Sequence, residues 1–136
     1  MIGLDTNVLV RYIVQDDPTQ AAIASAFIEK YCTETTPGFV NNVVLVELVW
    51  VLERGYGYDK SAIHSVLKQM AATAELKLEN QESVWQAIED FASGNAGFSD
   101  CLIAVVNRQY ACRTTYTFDR RAAKNSGFEL LPPKDG

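Results

Sequence analysis

Four acids stand out by position rather than by number. Asp5 follows the short apolar run Ile2–Leu4 in "MIGLDTNVLVRYI" and precedes a second apolar run. Asp119 follows the β-rich stretch in "TTYTFDRR", Asp100 stands in "GFSDCLIAVV", and Glu47 is the single charge in "NNVVLVELVWVL". Carboxylates brought together repel one another, and some stay protonated unless a cation intervenes. Hard cations such as Mg²⁺ and Mn²⁺ take oxygen ligands and keep several waters. An acid cluster of this kind can therefore bind a phosphate oxygen and deliver an activated water. No histidine is required, and the single His64, in "SAIHSVLKQM", reads as a helix-surface residue.

Each acid also has a plain structural reading. Asp5 and Asp119 could cap the helices that follow them. Asp100 could be a first-turn acid that complements a helix dipole. Glu47, in the middle of an apolar run, is expected to be buried and so must be paired, protonated or metal-bound, with a buried pair to an arginine such as Arg11 as its plain reading. Taken jointly, these readings need four unrelated coincidences.

The elements that must position the acids alternate strand and helix. A strand over Ile2–Leu4 leads to a helix over Thr6–Val14. "DDPTQ" restarts the chain with Asp17 as N-cap and Pro18 in the first turn, giving a helix to about Cys32. A strand over Gly38–Val40 follows, then a helix over Val43–Arg54 capped by Asn41 or Asn42. Asp59 caps a helix through about Ala72, "ELKL" alternates as a strand, and a helix runs over Gln81–Ala92 with Trp85, Ile88 and Phe91 on one face. Ser99 or Asp100 opens a helix over Cys101–Tyr110. "TTYTF" and "FELL" are strands on either side of a short helix near Arg121, and "PPKDG" is a frayed tail. Strands separated by helices imply parallel βαβ units, whose ligands bind beyond the carboxyl ends of the strands. Asp5 and Asp119 lie at such ends.

The bulk composition bounds the answer. With 136 residues and 48% hydrophobic content, the chain is expected to fold as a single domain spanning residues 1–136. The nearly uncharged run over residues 38–52 is too short to span a bilayer, and no basic, apolar leader precedes the first strand, so a cytoplasmic protein is expected. Cys32, Cys101 and Cys112 form no CxxC pair and are expected to be buried free thiols. A net charge of −5 disfavours broad attraction to nucleic acid, although bound divalent cations offset clustered acid locally.

The segments "LDTNVLVRYIVQDDPTQ", "VVLVELVWVL", "FSDCLIAVVNRQYAC" and "TYTFDRRAAK", in this order and spacing, resemble PIN-domain ribonucleases, especially VapC-type toxins of toxin–antitoxin pairs. The resemblance extends over nearly the whole chain. It implies a three-layer α/β/α fold with a mainly parallel central sheet. It also implies an acidic Mg²⁺ or Mn²⁺ site on Asp5, Glu47, Asp100 and Asp119. In that reading Asp5 and Asp100 hold the ion, and Asp119 completes the site or shares a second ion. Glu47 orients or helps deprotonate the attacking water. Thr6 or Asn7 near the first acid, and Thr117 before the last, are supporting polar residues. The family's phenylalanine-alanine-aspartate triplet reads "FSD" here. Arg11, Arg120 and Arg121 are candidate RNA contacts by proximity to the acids, with Arg54 a weaker one; solvated helix-surface charge is their plain reading. A VapB-like antitoxin partner and a homodimer are implied as well, the antitoxin groove lying between the first helix and the helix that carries Trp50.

Two other classes compete. A phosphatase with Asp5 as covalent nucleophile would need a second acid two residues on, where Asn7 stands. A non-catalytic interaction module would keep the fold, but it leaves the four retained acids without a purpose.

Overall fold

The structure, a computed structural model, describes residues 1–125 and 127–134; the last two residues of the "PPKDG" tail lie outside the described residues. The chain divides into two compact units, Met1–Gln81 and Glu82–Gly136.

In the first unit, strands β1 (Ile2–Gly3), β2 (Gly38–Val40) and β3 (Leu76–Leu78) form a parallel sheet in the order β1-β2-β3. Ile2 pairs with Gly38, and Gly38 in turn with Leu76. Helices α1 (Thr6–Val14) and α2 (Pro18–Tyr31) connect β1 to β2, and α3 (Asn42–Tyr56) and α4 (Lys60–Ala72) connect β2 to β3. The capping residues explain the helix starts. Asp17, Asn41 and Asp59 each accept a backbone N–H three residues on, and Pro18 occupies the first turn of α2. At the end of α3, Gly57 takes the left-handed conformation that closes the helix. The core gathers Leu9, Val40, Leu45, Leu48, Leu52, Ile63, Leu67 and Leu78, all buried.

The second unit contains the rest of α5 (Gln81–Ser93), α6 (Phe98–Gln109), and the parallel pair β4 (Thr115–Thr117) and β5 (Phe128–Leu130) around a 3₁₀ turn over Ala122–Lys124. Helix α5 buries Val84, Ala87, Ile88 and Phe91 and leaves Trp85 only half-buried. Phe91 and Phe98 meet edge to face with ring centroids 6.1 Å apart.

The chain is thus a mixed α/β protein with parallel pairing throughout its described ladders, as expected, although those ladders are two. Two details differ. Helix α6 begins at Phe98, earlier than the apolar pattern suggested, because Gly97 serves as its N-cap without a side-chain bond. Asp100 therefore lies inside the first turn and does not open the helix. Cys112, expected to be buried, is exposed, while Cys32 and Cys101 are buried free thiols. His64 sits half-exposed on α4. Among the described residues no helix is long and apolar enough to cross a membrane.

Candidate active site

Each unit presents one of the singled-out acids just past a strand of a parallel ladder, Asp5 after β1 and Asp119 after β4. In the first unit, Asp5 follows β1, whose pairing with β2 is extended by Leu4 N–H donating to Phe39 at 2.9 Å. Asp5 is the N-cap of α1: its carboxylate accepts the Thr6 N–H at 2.8 Å, and its carbonyl receives Val8 N–H. Capping occupies one oxygen of a carboxylate that has four lone-pair sites, so the plain reading and the chemical one are compatible.

Thr6 links Asp5 to Glu47. Its side chain is buried, at 7% exposure, and its hydroxyl donates to Glu47 Oε1 at 2.8 Å across 41 residues of chain. Thr6 is thus the polar helper that acts on an acid, while Asn7 is exposed. Glu47 itself is exposed, which corrects the premise that an acid inside an apolar run must be buried. Helix α3 buries Val44, Leu45, Leu48, Val49 and Leu52, and leaves positions 43, 47 and 50 on an outward strip. Val43 and Trp50 on that strip are 70% and 60% exposed.

In the second unit, Asp100 in α6 and Asp119 after β4 are electrostatically coupled. Burial raises the Asp100 carboxyl above its ordinary range, and the negative charge of Asp119 raises it further. Asp119 is exposed, and its turn is braced at several points. Its N–H donates to Thr117 Oγ1 at 3.0 Å, and its carboxylate accepts Arg121 N–H at 2.8 Å and Ala122 N–H at 3.3 Å. Thr117 therefore supports the acid through its backbone.

The basic candidates separate. Arg11 is committed to a network in the first unit: it donates to Asp16 at 3.0 Å, to Tyr56 at 3.2 Å and to Gln20 at 2.6 Å, while Tyr56 donates to Asp16 at 2.9 Å. The Tyr56 hydrogen bond is the main cause that holds Asp16 below the usual carboxylate range, with the Arg11 charge adding to it. Arg11 is consequently not the partner of Glu47. Arg120 and Arg121 are exposed directly after Asp119.

A residue that sequence reasoning passed over is Glu79. It follows β3 and accepts the Asn42 N–H at 3.0 Å, holding the start of the helix that carries Glu47. The strand-end rule that flagged Asp5 and Asp119 applies to "LKLE" equally. A cleft of about 750 Å³ among α1, α2 and α4 has Leu9, Ile28 and Met70 in its lining, with Glu29, Glu34 and Glu75, and contains none of the four candidate acids.

Among the described residues no three His, Cys, Asp or Glu side chains close into a group that could hold a metal ion. The donors on offer are carboxylate oxygens alone, and one carboxyl is made harder to ionise by its neighbour. That composition fits a hard divalent cation, which would relieve the repulsion.

A VapC ribonuclease from Aquifex aeolicus (strain VF5) is 27% identical over 130 residues, covering 96% of this chain and 95% of that protein. The family model of the PIN domain matches residues 2–127, so it takes in all four acids and both units. The chain belongs to the PIN domain family.

Proposed function

We propose that the chain is a metal-dependent endoribonuclease of the VapC type, acting as a single domain in the cytoplasm and held in check by a VapB-like antitoxin. The observation that carries the reading is the Asp100–Asp119 pair, an acid placed where burial and a second acid oppose its charge. A carboxylate perturbed by burial together with a specific charged neighbour is a candidate functional group. Family membership and the ribonuclease relative supply the reaction class.

In this reading Asp5, Asp100 and Asp119 hold Mg²⁺ or Mn²⁺, which when bound stabilises the charge that develops on the phosphodiester and lowers the pKa of water. Glu47, oriented by the Thr6 hydroxyl, positions the attacking water or takes its proton. Thr117 and the braced turn fix Asp119. Arg120 and Arg121 draw the RNA phosphates toward the acids. The antitoxin docks on the α1–α3 side, where Val43 and Trp50 flank Glu47, and the toxin pairs as a homodimer.

The test is cleavage of RNA by the purified chain. Activity should require Mg²⁺ or Mn²⁺, vanish with excess chelator and return on adding metal. Asp5→Asn should lower it roughly a hundredfold while leaving the fold intact, because asparagine caps a helix as well as aspartate does. Cleavage that persists in chelator, or that runs at the wild-type rate in Asp5→Asn, would remove the metal mechanism.

A further inference from the structure

We infer that Phe118 is a stacking platform for one nucleobase of the RNA beside the phosphate that is cut, an inference that rests on the nuclease reading. Phe118 is 84% exposed, more than any other large apolar side chain among the described residues. A ring left in water forgoes the stabilisation that burial would give. Loose backbone does not account for it. Leu131 N–H donates to the Thr117 carbonyl at 3.0 Å on one side of Phe118. Asp119 on the other side is bonded to Thr117, Arg121 and Ala122. The ring is therefore presented from a fixed bend, one residue from a proposed metal ligand.

Its surroundings select the occupant. Arg120 and Arg121 follow directly and are exposed. Tyr116, 48% exposed, accepts a hydrogen bond from Arg113 at 3.2 Å. Exposed aromatics interleaved with guanidinium groups are the composition of a single-strand nucleic-acid surface, where bases stack and phosphates pair with cations. Leu130 and Leu131 are also partly exposed, and a protein partner on this patch is the competing occupant. Glu129 pairs with Tyr116 across the ladder and offsets Arg113, so the charge that favours the polyanion is that of Arg120 and Arg121. Stacking needs only a π-face, so Phe118 would fix the register of the strand over the acids and tolerate any base, purines best.

The experiment is a cycle between the ring and the base. Rates are measured for the wild type, Phe118→Ala and Phe118→Trp on one cleavable RNA and on versions with a single abasic nucleotide at each position around the cut. Phe118→Ala should lower kcat/KM about tenfold, within the range of base–aromatic stacking, and Phe118→Trp should restore it. At one position the abasic substrate should cost the wild type about as much, and should cost Phe118→Ala nothing further. Because the ring is exposed, thermal melts of the variants should match the wild type. Cleavage by Phe118→Ala at the wild-type rate, or losses that simply multiply at every position, would overturn the stacking role and leave the nuclease reading standing. A wild type that cleaves no RNA with Mg²⁺ present would overturn both.

Discussion

Asp100 is held in a state that weakens the metal-free protein. Burial first, and Asp119 second, raise its carboxyl above the value it has in the unfolded chain. A raised folded pKa means that this group's stability contribution is fully present below the ordinary carboxylate range and is lost as pH rises through the raised value. At neutral pH the ionised acid is therefore a burden that a bound cation would relieve. Asp100→Asn is expected to raise the melting temperature of the metal-free protein at pH 7 by on the order of 2 °C, a modest figure because the site is partly exposed. The gain should shrink toward zero as the pH falls below the ordinary carboxylate range. RNA cleavage by the same variant should fall roughly a hundredfold, the scale of losing one contact to developing charge. Scanning calorimetry across pH, beside a cleavage assay, reads both; a variant that is both less stable and fully active would contradict the assignment. What the sequence marked was position: Asp5 and Asp119 follow strand-like runs and both accept backbone N–H groups just after them, while their joining with Asp100 in one site is a proposal. Glu47 shows where such reasoning overreaches. The 43, 47, 50 spacing puts Glu47 on one strip with Val43 and Trp50, and because those two are apolar the helical period alone does not say that the strip faces water.

At the scale of elements, the placement of Asp5 depends on how closely β1 approaches β2. Gly38 sits at that junction, and a Cβ there would meet Leu4 Cδ1 at 2.7 Å and Cys32 Sγ at 2.9 Å. Leu4 immediately precedes Asp5 and Cys32 ends α2, and both side chains are buried, so relief of the clash must push one of them aside within the core beneath the acid. Gly38→Ala should cost about 1–3 kcal/mol, the usual penalty of overpacking, measured as a lower denaturant midpoint with an unchanged slope. A Cys32→Ala background, which removes one of the two contacts, should recover part of that loss. Most elements were readable because their ends carry chemistry: Asp17, Asn41 and Asp59 announce helix starts through side chains that accept backbone N–H groups. The start of α6 was misplaced because Gly97 makes no such bond and leaves no polar letter to read. The division of the strands into two ladders was hidden for a different reason. Alternation and β-propensity define a strand but not its neighbour, and pairing is decided by tertiary packing.

At the scale of the whole molecule, the proposed mechanism asks acids from both units to serve one cation. Asp5 with Glu47 belongs to Met1–Gln81, and Asp100 with Asp119 to Glu82–Gly136. Kinetics can decide whether they act together without reference to any distance. If Asp5 and Asp119 hold the same ion, removing either one removes what both contribute. The double variant Asp5→Asn with Asp119→Asn should then be no worse, within about threefold, than the more damaging single variant, each single losing roughly a hundredfold in kcat/KM on RNA. If the two acids serve separate purposes, the losses should multiply, to about ten-thousandfold, because distant independent sites add in free energy. A parallel Mg²⁺ titration of the melting temperature sharpens the distinction. A shared ion predicts that either single substitution erases most of the Mg²⁺-dependent shift, since stabilisation by a ligand follows its affinity for the folded state. Separate ions predict that each substitution erases only its own share. Multiplying rate losses together with half-retained shifts would leave each unit with its own acid pair and no common centre, and the nuclease mechanism would then have to be rebuilt on the Asp100–Asp119 pair alone.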